Sequence, residues 1–205
     1  MARQREKPPW SKYYRATAKG PPWGTLRKTL TLAAKASGKQ GRLAIDLGCG
    51  AGRDTRGLLQ QGWRVLAIDK EPDAISFLRA AVPQRYKARL RTRVASFERT
   101  RLPKCDLINA SYSLPFCRPK RFNRLWKEIL GSLRPGGWFA GHFFGVRDEW
   151  AGSTDMTFHT AQQVKALLRD LEIEFFKEKE WDGRTPSGKR RDKHWHVLSV
   201  VARKP

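Results

Sequence analysis

The chain has 205 residues, three cysteines and a formal net charge of +23, a length that fits one domain with short extensions and can bury a sizeable core without disulfides. The cysteines lack the paired spacing of a metal site, so we expect no bound metal. Because no run of about 18 apolar residues occurs and no apolar stretch follows the basic N-terminus, we expect a cytoplasmic protein without a membrane span or secretory signal.

Short β-type segments alternate with helical patterns, which predicts βαβ units and a parallel sheet. The first predicted strand is 42–47, followed by a helix over 53–61 and a second strand over 63–68 that ends at Asp69. Further strands are predicted over 90–95, 107–110, 138–144, 172–178 and 196–202, and helices over 119–133 and 160–171. Residues 182–193 are predicted to form a turn-rich basic loop.

A glycine-rich loop follows the first strand in the segment AIDLGCGAGRDT, residues 44–55. Gly48, Gly50 and Gly52 carry no side chain and tolerate positive φ, so their backbone can approach a ligand closely. Asp69 ends the next strand, 17 residues after Gly52. A carboxylate at that position can accept hydrogen bonds from both hydroxyls of a ribose. The pattern therefore predicts a nucleoside-binding loop.

The charges in the loop distinguish between nucleotide classes. The glycine spacing is G-x-G-x-G rather than the G-x-G-x-x-G of dinucleotide sites, and no phosphate-binding P-loop is present. Asp46 and Asp54 would repel a pyrophosphate and would favour a cationic ligand, such as one that carries an ammonium and a sulfonium group.

Four segments in order resemble the class I S-adenosylmethionine-dependent methyltransferases: AIDLGCGAGRDT, VLAIDKEP, CDLINASYSLPF and LRPGGWFAGHFFG. The glycine loop, the YYRAT…PPW segment and the MTFHT segment resemble small bacterial members of the tellurite- and thiopurine-resistance type. The resemblance covers about residues 41–145. It implies an α/β, Rossmann-like, doubly wound, mostly parallel seven-stranded sheet with one antiparallel C-terminal strand, and S-adenosylmethionine as the cofactor.

The resemblance assigns candidate cofactor-binding residues by position. They lie in the glycine loop and after the second, third and fourth strands: Asp46, Gly48, Gly50, Gly52, Arg53, Asp69, Lys70, Ser96, Phe97, Ala110 and Ser111. The loop residues would hold the methionine portion, Asp69 the ribose, and Lys70, Ser96 and Phe97 the adenine. Relatives often carry an acid where Ser96 stands, and Glu98 is the nearby substitute.

Candidate catalytic residues are Tyr112, His142 and His159. Tyr112 would line the path to the methyl group, and either histidine could act as the general base that an alcohol or ammonium acceptor needs. A purely structural role stays open for each histidine. The sequence lacks the Asp/Asn-Pro-Pro-Tyr/Phe segment of enzymes that methylate exocyclic amines of nucleobases, which disfavours that activity.

Three function classes stay open. A small-molecule methyltransferase is favoured by the short chain and the aromatic residues expected at the mouth of the site. An RNA methyltransferase is favoured by basic segments, since residues 1–40 carry a net charge of +9, residues 183–205 carry +6, and 79–104 holds nine basic residues and one acid. A non-catalytic protein that binds the cofactor is the third class.

The N-terminal segment is expected to act as a lid. Residues 1–40 form a basic arm and helix, and 41–205 form the methyltransferase domain. Trp10, Tyr13, Tyr14 and Trp23 make this arm too apolar for a free tail. We therefore expect residues 1–24 to fold over the cofactor and the acceptor and to exclude water from the site.

Overall fold

The computed structural model describes residues 10–18, 20–36, 42–185 and 192–205. The strands are β1 (Leu43–Leu47), β2 (Arg64–Asp69), β3 (Leu90–Val94), β4 (Cys105–Ala110), β5 (Leu133–Gly145), β6 (Phe158–His159), β7 (Glu172–Arg184) and β8 (Asp192–Arg203). The helices are α1 (Trp10–Thr17), α2 (Gly24–Ala36), α3 (Arg53–Gln60), α4 (Pro72–Ala81), α5 (Gln84–Lys87), α6 (Pro119–Ser132) and α7 (Ala161–Leu167). None of these described helices combines the length and apolarity needed to cross a lipid bilayer.

The strands form one sheet in the order β3-β2-β1-β4-β5-β8-β7. Strands β1 to β5 pair in parallel, and β8 runs antiparallel to both β5 and β7. This arrangement confirms the predicted fold class. The two-residue strand β6 pairs with β5 beside this path and was not predicted, because so short a segment has no periodicity to detect.

The sheet separates two apolar layers. Leu26 of α2, Leu58 of α3 and Leu78 of α4 are fully buried on one face. Helices α6 and α7 cover the other face, where Trp126 and Val164 are buried. Because β1, β2 and β4 are buried on both sides, their sequences are nearly continuous apolar runs, as parallel strands require.

The predicted loop over 182–193 is wrong at both of its ends. Strand β7 continues to Arg184 and β8 begins at Asp192, and the two strands pair along their whole length. Cross-strand contacts explain the difference, because the rings of Trp181 and Trp195 stack 6.0 Å apart and His194 contacts Asp182 at 2.8 Å. The remaining residues, 186–191, lie outside the described residues.

Local hydrogen bonds fix two further boundaries, the start of β5 and the start of α7. Helix α6 runs directly into β5, which begins at Leu133 rather than at the predicted residue 138. Gly136 adopts a φ of 74° there and donates its N–H to the carbonyl of Lys204 at 2.8 Å. Helix α7 begins with a capping box, since Thr160 and Gln163 exchange side-chain and backbone hydrogen bonds.

Candidate active site

The glycine loop between β1 and α3 has the backbone that only glycine adopts readily. Gly48, Gly50 and Gly52 have φ values of 78°, 51° and 82°. The N–H groups of Gly48 and Cys49 donate to the carbonyl of Ile68 at 2.8 and 3.0 Å, which fixes the loop at the end of β2. A side chain on Gly48 would collide with Ser113 and one on Gly52 with Leu78. The loop therefore leaves its backbone open at the carboxyl ends of β1 and β2.

Asp69 lies at the carboxyl end of β2 and supports the loop. One of its carboxylate oxygens accepts the N–H of Gly50 at 2.9 Å, and the other accepts the N–H of Glu71 at 3.0 Å. Burial is the main reason why the pKa of this carboxyl is raised. Each oxygen retains a second lone pair for a ligand hydroxyl.

A buried pair of carboxyl groups lies beneath the loop. Asn109 of β4 donates its side-chain amide to Asp46 and to Asp54, both at 2.9 Å. The hydroxyl of Thr55 donates to Asp46 at 2.5 Å, and the backbone N–H of Trp23 donates to Asp54 at 2.9 Å. Burial, followed by the charge of Asp54, raises the pKa of Asp46 to about 7. Sequence reasoning missed Asn109, whose only signal is a polar residue in an apolar strand.

We expect this pair to make stability depend on pH. The folded-state pKa of Asp46, about 7, lies above its ordinary value of 3.8, so its stabilising contribution is complete below pH about 4 and is lost as the pH rises through 7. Asp54 and Asp69 are shifted in the same direction. The Asp46→Asn variant should therefore lose less unfolding free energy than the wild type between about pH 5 and pH 8, measured by urea unfolding. Equal losses in the two proteins would contradict the shift.

Two cavities meet at the carboxyl ends of the central strands. The larger, of about 830 Å³, is lined by all four residues predicted to bind the ribose and the adenine, Asp69, Lys70, Ser96 and Phe97, with Glu98 beside them. The smaller, of about 40 Å³, is lined by Asp46, Arg53 and Asp54. Gly48, Gly50, Ser111 and Tyr13 line both. Of the other predicted residues, Gly52 supports the turn of the loop, and Ala110 is fully buried.

The N-terminal arm covers the smaller cavity. Tyr13, Thr17, Ala18 and Trp23 form part of its lining. The guanidinium of Arg53 lies 3.8 Å from the ring centre of Trp23, and its Nε donates to the carbonyl of Pro21 at 2.5 Å. Arg56 donates to the carbonyl of Ala18. These contacts hold the described part of the arm against α3, whereas residues 1–9 and 37–41, which include the predicted domain boundary, lie outside the described residues.

Tyr112 is the predicted catalytic residue that lines the larger cavity. Its φ of 53° is unusual for a residue with a side chain and turns the chain sharply after β4. The Tyr112 ring stacks on His142, with ring centres 4.0 Å apart, and contacts Trp23, with ring centres 4.6 Å apart. Three aromatic rings, one from the arm, one from the β4 loop and one from β5, thus pack in series beside the cavity.

Neither histidine belongs to the described lining of the two cavities. His142 lies behind Tyr112, and burial lowers its pKa to about 3. His159 lies on the α6 face, where it contacts Phe122 and Phe143, and burial lowers its pKa to about 4. Both histidines therefore lie behind the residues that line the cavities, and His142 contacts the site through the rings of Tyr112 and Trp23.

Residues 45–141 match the family described as methyltransferase domain. This segment spans the glycine loop, Asp69, the buried acidic pair and Tyr112, which form the site. These residues form a methyltransferase domain.

Solved structures share the fold of this methyltransferase domain. TehB from Haemophilus influenzae is 18% identical with a TM-score of 0.70, covering 87% of this chain and 62% of TehB. The 1,6-didemethyltoxoflavin-N1-methyltransferase of Burkholderia thailandensis, solved with 1,6-didemethyltoxoflavin and S-adenosylhomocysteine, is 23% identical with a TM-score of 0.62, covering 88% of this chain and 78% of that one. A putative methyltransferase of Haloferax volcanii, in complex with the Trm112 activator, is 18% identical with a TM-score of 0.71, covering 95% of each chain. No curated protein matches the chain in sequence.

Proposed function

We propose that the methyltransferase domain transfers a methyl group from S-adenosylmethionine to a small-molecule acceptor in the larger cavity. The observation that carries the proposal is the meeting of the two cavities at Gly48, Ser111 and Tyr13. The adenosine portion occupies the larger cavity beside Asp69, and the methionine portion occupies the smaller one. The sulfonium then lies where the cavities meet, and its methyl group faces the remaining space.

The charges of the smaller cavity support this placement of the methionine portion. Asp46 and Asp54 line it beside Arg53. An ammonium group is attracted to the buried carboxylates, and a carboxylate is attracted to the guanidinium. Bringing an ammonium group to Asp46 also stabilises its ionised form, which burial alone disfavours.

The remaining space of the larger cavity suits a compact acceptor with an apolar or aromatic body. Tyr112 and Phe116 line this part, together with the hydroxyl of Ser113 and the charged groups of Arg118 and Asp155. Small-molecule sites commonly combine apolar walls with a few polar groups. The Burkholderia enzyme, which was solved with a small heterocyclic acceptor, supports the same acceptor class.

The reaction we propose is an in-line displacement. The acceptor nucleophile forms a bond to the methyl carbon as the carbon–sulfur bond breaks, and the bonding electron pair returns to sulfur to give neutral S-adenosylhomocysteine. The domain orients the two reactants and excludes water. Because both histidines lie outside the cavity and have lowered pKa values, we propose an acceptor that ionises without a protein base, such as a thiol.

A turnover screen tests the proposed function. The purified chain is incubated with S-adenosylmethionine and with thiols, phenols, amines, metalloid oxyanions or total RNA, and S-adenosylhomocysteine formation is measured. We expect turnover with a small thiol that changes little between about 50 and about 300 mM salt, because contacts inside a cavity are short-range. Turnover with RNA alone, falling steeply with salt, would contradict the acceptor class.

Replacement of Tyr112 tests the acceptor end of the cavity. We expect Tyr112→Leu to raise the KM for the acceptor about tenfold, since an aromatic contact is worth about 0.5–1.5 kcal/mol beyond its buried area. Affinity for S-adenosylhomocysteine, measured by calorimetry, should change far less. Tyr112→Phe is the matched control, which keeps the ring and should retain the wild-type KM. A Phe variant as impaired as the Leu variant would show that the hydroxyl, not the ring, matters.

A further inference from the structure

The crossover between β3 and β4 leaves part of the sheet uncovered. Residues 95–104 contain turns and, as described, no helix, although parallel crossovers usually contain one. Thr92 of β3 contacts Arg79 of α4, so Thr92 points to the face of the sheet that α2, α3 and α4 cover. Since neighbouring strand residues point to opposite faces, Arg91 and Arg93 point to the face that α6 covers farther along the sheet. Both side chains are exposed.

The crossover instead packs against α6. The N–H of Leu102 donates to Glu128 at 2.8 Å, and Arg124 donates to the carbonyl of Glu98 at 2.7 Å. A groove of about 580 Å³ lies between the crossover and the helix, and its charged and amide lining consists of Arg101, Asn123, Arg124, Lys127 and Glu128. The crossover and the helix therefore form the two walls of one groove.

Arg91 and Arg93 of β3 extend the basic surface of the groove. Arg93 donates to the carbonyl of Arg101 at 2.7 Å, which joins β3 to the groove. We call Arg91, Arg93, Arg101, Arg124 and Lys127 the basic track. Glu128 is the acid within the groove, and its carboxylate already accepts the N–H of Leu102 and lies 3.8 Å from Arg101. The track keeps a positive excess from three separate elements of the chain.

One end of the basic track adjoins the mouth of the larger cavity. The backbone carbonyl of Glu98 bonds Arg124 of the track, while Glu98 and the next residue, Arg99, line the cavity. Phe97 and Phe116 line the same cavity and are half-buried. Positive charge and aromatic rings therefore lie side by side along this surface.

We propose that the basic track is a docking surface for single-stranded nucleic acid. Arginine matches phosphate with a planar fork of donors, and Arg91 and Arg93 lie about 6.6 Å apart along the strand, two residues at about 3.3 Å each. A narrow groove accepts a linear polyanion. Unpaired bases can stack on nearby aromatic rings, which the paired bases of a duplex cannot reach. The net charge of +23 adds a long-range attraction to any such strand.

The five residues of the basic track are not among the described lining of the two cavities, so binding to the track does not depend on which acceptor is methylated. The basic track lies on the α6 face of the sheet, whereas α2 packs on the opposite face. Arg27 and Lys35 of α2 are exposed there and provide a control with the same change in net charge.

The test uses fluorescence anisotropy of a labelled single-stranded RNA of about 20 nucleotides with the full chain. We expect Arg91→Gln/Lys127→Gln to weaken binding about tenfold or more in 0.1 M salt and to reduce the log–log salt slope by about 1.4, since each lost phosphate contact contributes about 0.7. Arg27→Gln/Lys35→Gln should bind nearly as the wild type does. Thermal unfolding and affinity for S-adenosylhomocysteine should stay unchanged in both variants.

Three results would overturn the docking surface. They are an equal loss in the α2 control, equal or tighter binding of a duplex of the same length, and equal or tighter binding of a poly-glutamate peptide of matched charge. Small-molecule turnover is measured in the same variants. If the wild type shows no small-molecule turnover, the proposed function is contradicted. The RNA-binding measurements would still test the basic track independently.

Discussion

The Asp69→Ala variant is expected to lose at least a hundredfold in affinity for S-adenosylhomocysteine, measured by calorimetry. Hydrogen bonds to a charged group contribute about 1.5–3 kcal/mol each, so loss of two ribose contacts amounts to about 3–6 kcal/mol. The substitution also frees the N–H of Gly50, which Asp69 holds at 2.9 Å. Both effects weaken the same site, because the carboxylate orients the loop and binds the ligand.

The Asp73→Ala variant is the matched control for this experiment. Asp73 is an exposed acid in the first turn of α4, four residues after Asp69. The Asp73→Ala substitution removes the same charge from the same region, and this variant should retain wild-type affinity for S-adenosylhomocysteine. Unchanged affinity in Asp69→Ala would contradict the assignment of the ribose site. Tight and preferential binding of a nicotinamide dinucleotide would contradict the assignment of the cavity to S-adenosylmethionine.

Deletion of residues 1–23 is expected to lower turnover about a hundredfold while the remaining chain still folds. The deletion spares the residues of α2, Gly24–Ala36, and removes from that helix the Trp23 carbonyl that accepts the N–H of Arg27. It removes Tyr13 and Trp23 from the smaller cavity and the Trp23 N–H from Asp54. Without the arm, water reaches the methionine portion of the cofactor. The reacting groups are then held less accurately, and a misplacement of about 1 Å can lower the rate about a hundredfold. Turnover at saturating cofactor and urea unfolding are measured together.

The control for the deletion is Ala16→Gln within the arm. Ala16 is exposed in α1, and glutamine is nearly as good a helix former as alanine, so this substitution should leave turnover and unfolding unchanged. Full activity of the truncated chain on its acceptor would show that the arm is not a lid. A truncated chain that loses its cooperative unfolding transition would show instead that the arm belongs to the core, where Tyr14 is already buried against Ala51 and Ala74.

The sequence by itself determined those features that depend on local chemistry. The positive φ values at Gly48, Gly50 and Gly52 follow from the absence of a side chain, and the parallel strands follow from their apolar runs. The spacing from the glycine loop to Asp69 predicted that this carboxylate, the proposed ribose ligand, ends the next strand, and β2 does end at Asp69. Helix α6 was predicted to within one residue, because its apolar positions repeat with the helical period.

Only the tertiary structure decided how distant segments meet. The amide of Asn109 bridges Asp46 and Asp54, and the N–H of Trp23 reaches Asp54 from the arm. The two histidines occupy places that sequence spacing does not reveal, because the direction of each ring depends on which face of the sheet its residue occupies. The groove of the basic track likewise exists only where the β3–β4 crossover packs against α6. Contacts of this kind depend on the long-range packing of the chain, and local periodicity and composition contain no information about them.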